Sequence, residues 1–152
     1  MRILFVCLGN ICRSPTAEAV MADLLEQEGY SGQIEIDSAG TGDWHIGNPP
    51  DRRAVEAASK RGLSMTSRAR QVDQSDFERF DLIVAMDSSN HQDLLLMKNG
   101  DGAEVRLLRE FAEGGSLDVP DPYFGGDDGF NEVLDMLELN LKALLEQVSG
   151  DA

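Results

Sequence analysis

The sequence predicts a three-layer αβα domain built on a four-stranded, mainly parallel sheet. Three observations predict it. Short apolar runs recur at Ile3-Leu4-Phe5-Val6, Leu82-Ile83-Val84-Ala85 and Val105-Arg106-Leu107-Leu108, each the length of a buried strand. Stretches with apolar residues at helical spacing lie between and after them. A chain that alternates strand with helix lays its strands parallel and covers both sheet faces. The 152 residues suffice for one full core and show no repeat or linker, so residues 1–152 read as a single domain.

Each element follows from its residues. Ile3 to Val6 is the first strand, and Cys7 lies where it ends. Gly9-Asn10 breaks the strand, because both tolerate positive φ. Ser14-Pro15 reads as a helix start, with Ser as N-cap and Pro at the first helical position. Ala17, Val20, Met21, Leu24 and Leu25 then form one apolar face. Ile34-Glu35-Ile36 alternates as a second strand, and a Gly-rich loop from Asp37 to Asn48 places Trp44 at a rim. Pro49-Pro50 opens a helix through about Lys60, whose Arg52, Arg53 and Lys60 read as solvated face residues, with Arg53 also able to approach the mouth of a site. Ser67 to Val72 is a basic loop whose Arg68 and Arg70 read as surface charges.

Leu82 to Ala85 is the third strand, which sets Asp87 on the same sheet edge as Cys7 if the strands are parallel. Ser88 or Ser89 starts a helix to about Met97, and Val105 to Leu108 is the fourth strand. Gly114-Gly115-Ser116 leads into a Pro-flanked loop containing Asp121. Phe130, Val133, Leu134, Leu137, Leu141, Leu144, Leu145 and Val148 then mark a long amphipathic helix, with a frayed end at Ser149 to Ala152.

The chemistry concentrates in Cys7-Leu8-Gly9-Asn10-Ile11-Cys12-Arg13-Ser14. A loop between a strand end and a helix N-terminus turns backbone N–H groups inward as an anion nest, helped by the helix dipole. Arg13 adds a planar fork suited to two phosphate oxygens. This is a phosphate-binding loop after the first strand. The same field favours a thiolate, since cysteines at helix N-termini or beside cations have pKa values of roughly 3.5–7.5. Cys7 is thereby armed as a nucleophile while the loop binds a dianion.

These residues resemble the signature of the low-molecular-weight protein tyrosine phosphatases. The likeness runs from Val6 through Pro15 and Ala17-Glu18. It continues in Asp37-Ser38-Ala39-Gly40-Thr41, Trp44, Asp81 to Asp87, and Asp118-Val119-Pro120-Asp121-Pro122-Tyr123. It implies Cys7 as nucleophile, Arg13 as phosphate clamp and Asp121 as general acid. The loop residues Leu8, Gly9, Asn10, Ile11, Cys12 and Ser14 would hold substrate, with Asn10 bracing the loop and Ser14 bonding the Cys7 sulfur. Trp44 and Tyr123 would wall the substrate ring, and Asp87 would support the cradle. Ser67, where vertebrate members commonly carry His, and Tyr123-Phe124 in place of two tyrosines fit a bacterial-type member. The resemblance implies a monomer needing no metal or cofactor, acting on phosphotyrosine proteins and paired in the cell with a tyrosine kinase.

Composition bounds the function. A net charge of −15 argues against nucleic-acid and anionic-membrane partners. Distant charges fade over ~8–10 Å at ordinary salt, so a contact cradle still works, with a mouth less acidic than the average surface or substrates that carry local basic residues. No apolar run approaches the ~20 residues of a membrane helix, and no signal peptide is evident. Two cysteines form no disulfide framework, which points to a reducing cytoplasm. Cys12 either forms a reversible disulfide with Cys7 or packs beneath the loop. His45 and His91 lack metal-ligand neighbours and read as ordinary polar residues. Three rival activities share parts of this pattern. An arsenate reductase relays oxidation through further cysteines, which this chain lacks. A protein-arginine phosphatase tends to carry Thr where Ile11 stands. A phosphocarrier module has no use for Asp121 or for aromatic walls.

Overall fold

Strand β1 (Arg2–Cys7) is the organising element, and the other strands are placed by their pairing to it. The computed structural model describes residues 1–112, 118–122 and 127–150. In chain order β1 is followed by α1 (Arg13–Glu28), β2 (Glu35–Gly40), α2 (Arg52–Ser59) and α3 (Asp76–Arg79). Then come β3 (Leu82–Ala85), α4 (Ser88–Met97), β4 (Glu104–Leu107), a 3-10 turn over Leu108–Glu110, and α5 (Asp127–Gly150). The sheet order is β2-β1-β3-β4. All three pairings are parallel, so the expected mainly parallel sheet is wholly parallel among the described residues.

Alternation along β1 builds two cores. Ile3, Phe5 and Cys7 face a layer formed by α1, α2 and α5. Leu4 and Val6 face the opposite layer, with Phe77 of α3 and Leu94 of α4. The predicted apolar face of α1 is buried at Ala17, Val20, Met21, Leu24 and Leu25, and Leu137, Leu141 and Leu144 of α5 are fully enclosed against it. Each buried Val, Met or Leu side chain among these contributes about 1.5–3 kcal/mol, which holds α1 beneath the loop that precedes it.

The chain leaves β1 toward β2 on one side and returns to β3 on the other. The connections diverge at β1, and ligands in open parallel sheets bind at that reversal, beyond the carboxyl ends of the strands. Cys7 pairs with Gly40 there, and Met86 N donates to Val6 O as β3 ends. The fold thus opens a crevice at the residue where the sequence places its nucleophile.

Several boundaries differ from the sequence expectation. Helix α1 begins at Arg13 with Cys12 as N-cap, so Ser14 and Pro15 lie inside the first turn. Pro15 still falls among the positions whose N–H has no intrahelical partner. Asp51, not the prolines, caps α2 by accepting from Arg53 N. Strand β2 is carried beyond Ile36 to Gly40 by its register with β1, although Asp37 and Ser38 are poor strand formers. Strand β4 ends at Leu107 because Leu108 turns into the 3-10 segment. Helix α5 runs through Gly150, past the expected fraying point at Ser149. The short α3 was not anticipated, since four residues are too few to show a period.

Candidate active site

The turn from β1 to α1 wraps around the Cys7 sulfur. Asn10 N points at Cys7 Sγ from 3.3 Å, and Ser14 Oγ lies 3.0 Å from it. Ser14, freed from capping, faces inward because it occupies the buried side of the first turn. Asn10 takes the left-handed conformation, with φ of 58°, as its short amide permits. Its Nδ2 donates to Ser14 Oγ at 2.8 Å, and its Oδ1 accepts from Arg70 N at 3.0 Å. Among the described residues, the amides of Gly9, Ile11 and Cys12 donate to no backbone carbonyl. They are the donors that an oxyanion in the turn would use.

Gly40 closes the back of the turn. A Cβ there would come within 2.8 Å of Leu8 O and 3.1 Å of the Gly9 carbonyl carbon, so only glycine lets β2 approach the loop. A Cβ on Gly9 would stand 2.9 Å from the His45 ring, which packs directly on the loop.

Arg13 reaches across to the ends of the other elements. Its Nη1 donates to Asp87 Oδ2 at 2.5 Å and to Val119 O at 3.0 Å, and its Nη2 lies 3.5 Å from Asp121 Oδ2. The side chain is 3% exposed. Burial opposes its charge, but Cys7, Asp87 and Asp121 outweigh that and hold the guanidinium firmly protonated. Asp87 lies just past β3 and also caps α4 through Asn90 N, which fixes its carboxylate. Removing one partner of so buried a pair costs about 3–5 kcal/mol.

The segment bearing Asp121 is tied down at its start. Ser88 N and Oγ donate to Asp118 Oδ1 at 2.8 and 2.7 Å, and Val119 N donates to Met86 O at 2.7 Å. The Ser88 bonds, with the charge of Arg13, hold the Asp118 carboxyl below the usual carboxylate range. The second cysteine has the opposite character. Burial pushes the Cys12 thiol up, Asp51, Cys7 and Asp121 add to this, and Arg53 opposes it, so Cys12 is a neutral core thiol. Both cysteines are free and buried.

A cavity of about 120 Å³ opens above the sulfur, lined by Cys7, Leu8, Gly9, Ile11, Cys12, Arg13, Trp44, His45 and Asp121. Six of the loop residues singled out from the sequence therefore meet Trp44 and Asp121 at one point. Trp44 stands at the rim, 67% exposed. Asn10 and Ser14 do not line the cavity as expected of substrate-holding residues. Both are buried behind the loop, where they orient Cys7. Tyr123 lies outside the described residues.

Three residues have partners that the sequence did not reveal. His45 lines the cavity, and only its neighbour Trp44 and the preceding glycines hinted at this. Arg53 pairs with its own helix cap Asp51 at 3.2 Å and covers the Phe130 ring at 4.8 Å, and its charge is felt at Cys12 in the cavity wall. Arg70 is no simple surface charge. It bonds both Asp37 and the fully buried Asp76.

A thiol at the floor of an amide-lined turn, a locked guanidinium and a carboxyl at the lip define a cysteine-dependent phosphoric monoester hydrolase. Comparison with known proteins gives the particular family. A family model described as low molecular weight phosphotyrosine protein phosphatase matches residues 2–152. A low molecular weight protein-tyrosine-phosphatase of Streptomyces coelicolor is 48% identical, with 99% of this chain and 98% of that protein covered. The crystal structure of a protein tyrosine phosphatase from Entamoeba histolytica superposes with a TM-score of 0.95 at 39% identity, covering 100% of this chain and 99% of that one. The crystal structure of a Drosophila arginine phosphatase superposes with a TM-score of 0.94 at 31% identity, covering 100% of both chains. The chain belongs to the low-molecular-weight phosphotyrosine protein phosphatase family.

Proposed function

We propose that the protein hydrolyses phosphotyrosine in other proteins, and small aryl phosphates, by a two-step displacement. The observation that carries this reading is that Cys7, Arg13 and Asp121 line one cavity. The Cys7 thiolate attacks phosphorus, and the S–P bond forms as the bond to the tyrosyl oxygen breaks. Asp121 gives its proton to that oxygen, which suits a leaving group whose pKa is about 10. Asp121, now a carboxylate, takes a proton from water as the water oxygen attacks phosphorus. The S–P bond breaks, the thiolate returns and inorganic phosphate leaves. Arg13 and the loop amides offset the charge on the transferring group in both steps.

Trp44 at the rim and Ile11 in the wall favour a flat apolar ring over a guanidinium, since an arginyl group would bring donors that neither side chain can accept. The counterpart enzyme is a tyrosine kinase, and two free thiols suit a reducing compartment such as the cytoplasm. Turnover of matched phosphotyrosine, phosphoserine and phosphoarginine peptides tests the reading, with Cys7→Ser as the blank. The expected order is phosphotyrosine first by at least about tenfold in kcat/KM, equivalent to ~1.4 kcal/mol of transition-state binding. Faster turnover of phosphoarginine would assign the chain to the arginine phosphatases instead.

A further inference from the structure

We infer that Arg70 is a positioning residue for the nucleophile, acting on Cys7 through Asn10 and Ser14; this rests on the proposed phosphocysteine chemistry. The guanidinium forms a clamp between two elements. Its Nη1 and Nη2 donate to the Asp76 carboxylate at 3.0 and 3.1 Å, and its Nε and Nη2 donate to Asp37 Oδ2 at 3.3 and 3.1 Å. Asp76 is fully buried at the start of α3 and also accepts from Asp73 N, so it is a fixed anchor. Asp37 belongs to β2, the edge strand that ends behind the cradle.

The clamp fixes the backbone of residues 70–72 along that strand end. Gly40 N donates to Arg70 O, and Val72 N donates to Gly40 O, both at 2.8 Å. With its carbonyl so held, the Arg70 amide faces Asn10 Oδ1 at 3.0 Å. That bond leaves Asn10 Nδ2 as donor to Ser14 Oγ, so the Ser14 hydroxyl proton turns toward its remaining acceptors, Cys7 Sγ at 3.0 Å or Ala39 O at 3.4 Å. The shorter contact is the sulfur. Arg70 therefore decides which way the one hydroxyl beside the nucleophile points. A hydroxyl donating to Cys7 Sγ stabilises the thiolate that must leave when water attacks the phosphocysteine.

Replacing Arg70 alone would strand the buried Asp76 charge, so the test uses the neutral pair Arg70→Gln/Asp76→Asn with Asn10→Ala in a double-mutant cycle. An aryl phosphate substrate is used, and thermal midpoints are measured alongside. The neutral pair is expected to lower kcat about tenfold with KM within about twofold, since a misdirected group near the reacting atom costs rate more than binding. In the Asn10→Ala background the same pair is expected to cost less than about twofold more, because the route is already cut. Arg70→Lys, which cannot grip both carboxylates, falls between. Losses that multiply across the cycle, or a lowered midpoint with unchanged kcat, overturn the assignment. If the neutral pair does not fold, Asp37→Asn carries the same cycle with a loss of about threefold and the same criteria. Inactive wild type would instead refute the phosphatase reading itself.

Discussion

The cradle and the segment that carries Asp121, the proposed general acid, are built in contrasting ways. In the cradle, Cys7, Asn10, Arg13 and Ser14 are each at most 2% exposed, and every one is held by at least one side-chain bond. The acid segment is anchored at Asp118 and Val119, while the Asp121 side chain is 36% exposed. The two regions meet different demands. A phosphoryl group has one shape, so its donors gain from being fixed in advance. A general acid at Asp121 would have to reach leaving groups of varied shape and then meet water, and Asp121 stands where water can enter. Arg13 couples the two, because Nη1 holds Val119 O and Nη2 faces Asp121.

The sharpest test of the cradle uses its two sulfurs. Cys7→Ser is expected to lower kcat by more than about 10⁴-fold, as the loss of a nucleophile does elsewhere. Cys12→Ser, which alters a thiol that burial keeps neutral, is expected to stay within about threefold. Equal losses would abolish the distinction between floor and wall. Next in size is Arg13→Lys. It keeps the charge but gives up the fork that holds Asp87 and the Asp121 segment and that would grip phosphate, with an expected loss of about 10³-fold in kcat/KM. A loss confined to KM would mean that Arg13 binds substrate without stabilising the transition state.

The cradle was legible in the sequence and its supports were not. Strand, turn and helix are contiguous over Ile3 to Leu25, so periodicity and residue chemistry locate Cys7 and Arg13 without any knowledge of long-range contacts. Asp87 was reachable by one further step, from the rule that parallel strands end on the same sheet edge. Ser14 illustrates the failure. Ser-Pro is a sound helix-start signal, yet the start falls two residues earlier, at Arg13 with Cys12 as N-cap, and the Arg13 side chain is locked to Asp87. Arg70 illustrates another. Its partners Asp37 and Asp76 lie 33 and 6 residues away on separate elements, so its charge read as solvated. His45 packs on Gly9 across the loop, a contact that its neighbours Trp44 and the glycines hint at without fixing.

On the acid side the comparison becomes a matter of leaving groups. Asp121→Asn is expected to lower kcat about 10²–10³-fold for a tyrosyl leaving group. The loss should shrink to below about tenfold for an aryl ester whose leaving group needs no proton, because only the proton transfer has been removed. Equal losses on both esters would show that Asp121 acts through its charge pairing with Arg13. That result would merge the two regions into one electrostatic unit.

The smallest effect lies at the anchor of the acid segment. Ser88→Ala deletes one of the two Ser88 bonds to Asp118 and leaves the backbone one. A loss of about threefold in kcat on a tyrosyl substrate is expected, and almost none in the Asp121→Asn background, because the anchor acts by placing that carboxyl. The pH dependence has a definite sign. Asp118 is held below its ordinary value by these bonds, so they stabilise the fold above the usual aspartate range and cease to do so as pH falls through the lowered value. The midpoint difference between wild type and Ser88→Ala should therefore be full at neutral pH and close in acid. A difference that persists in acid would mean that Ser88 supports α4 rather than the acid segment. The segment bearing Asp121 would then rest on other contacts, among them Arg13 Nη1 to Val119 O and Arg109 Nη1 to Asp118 O.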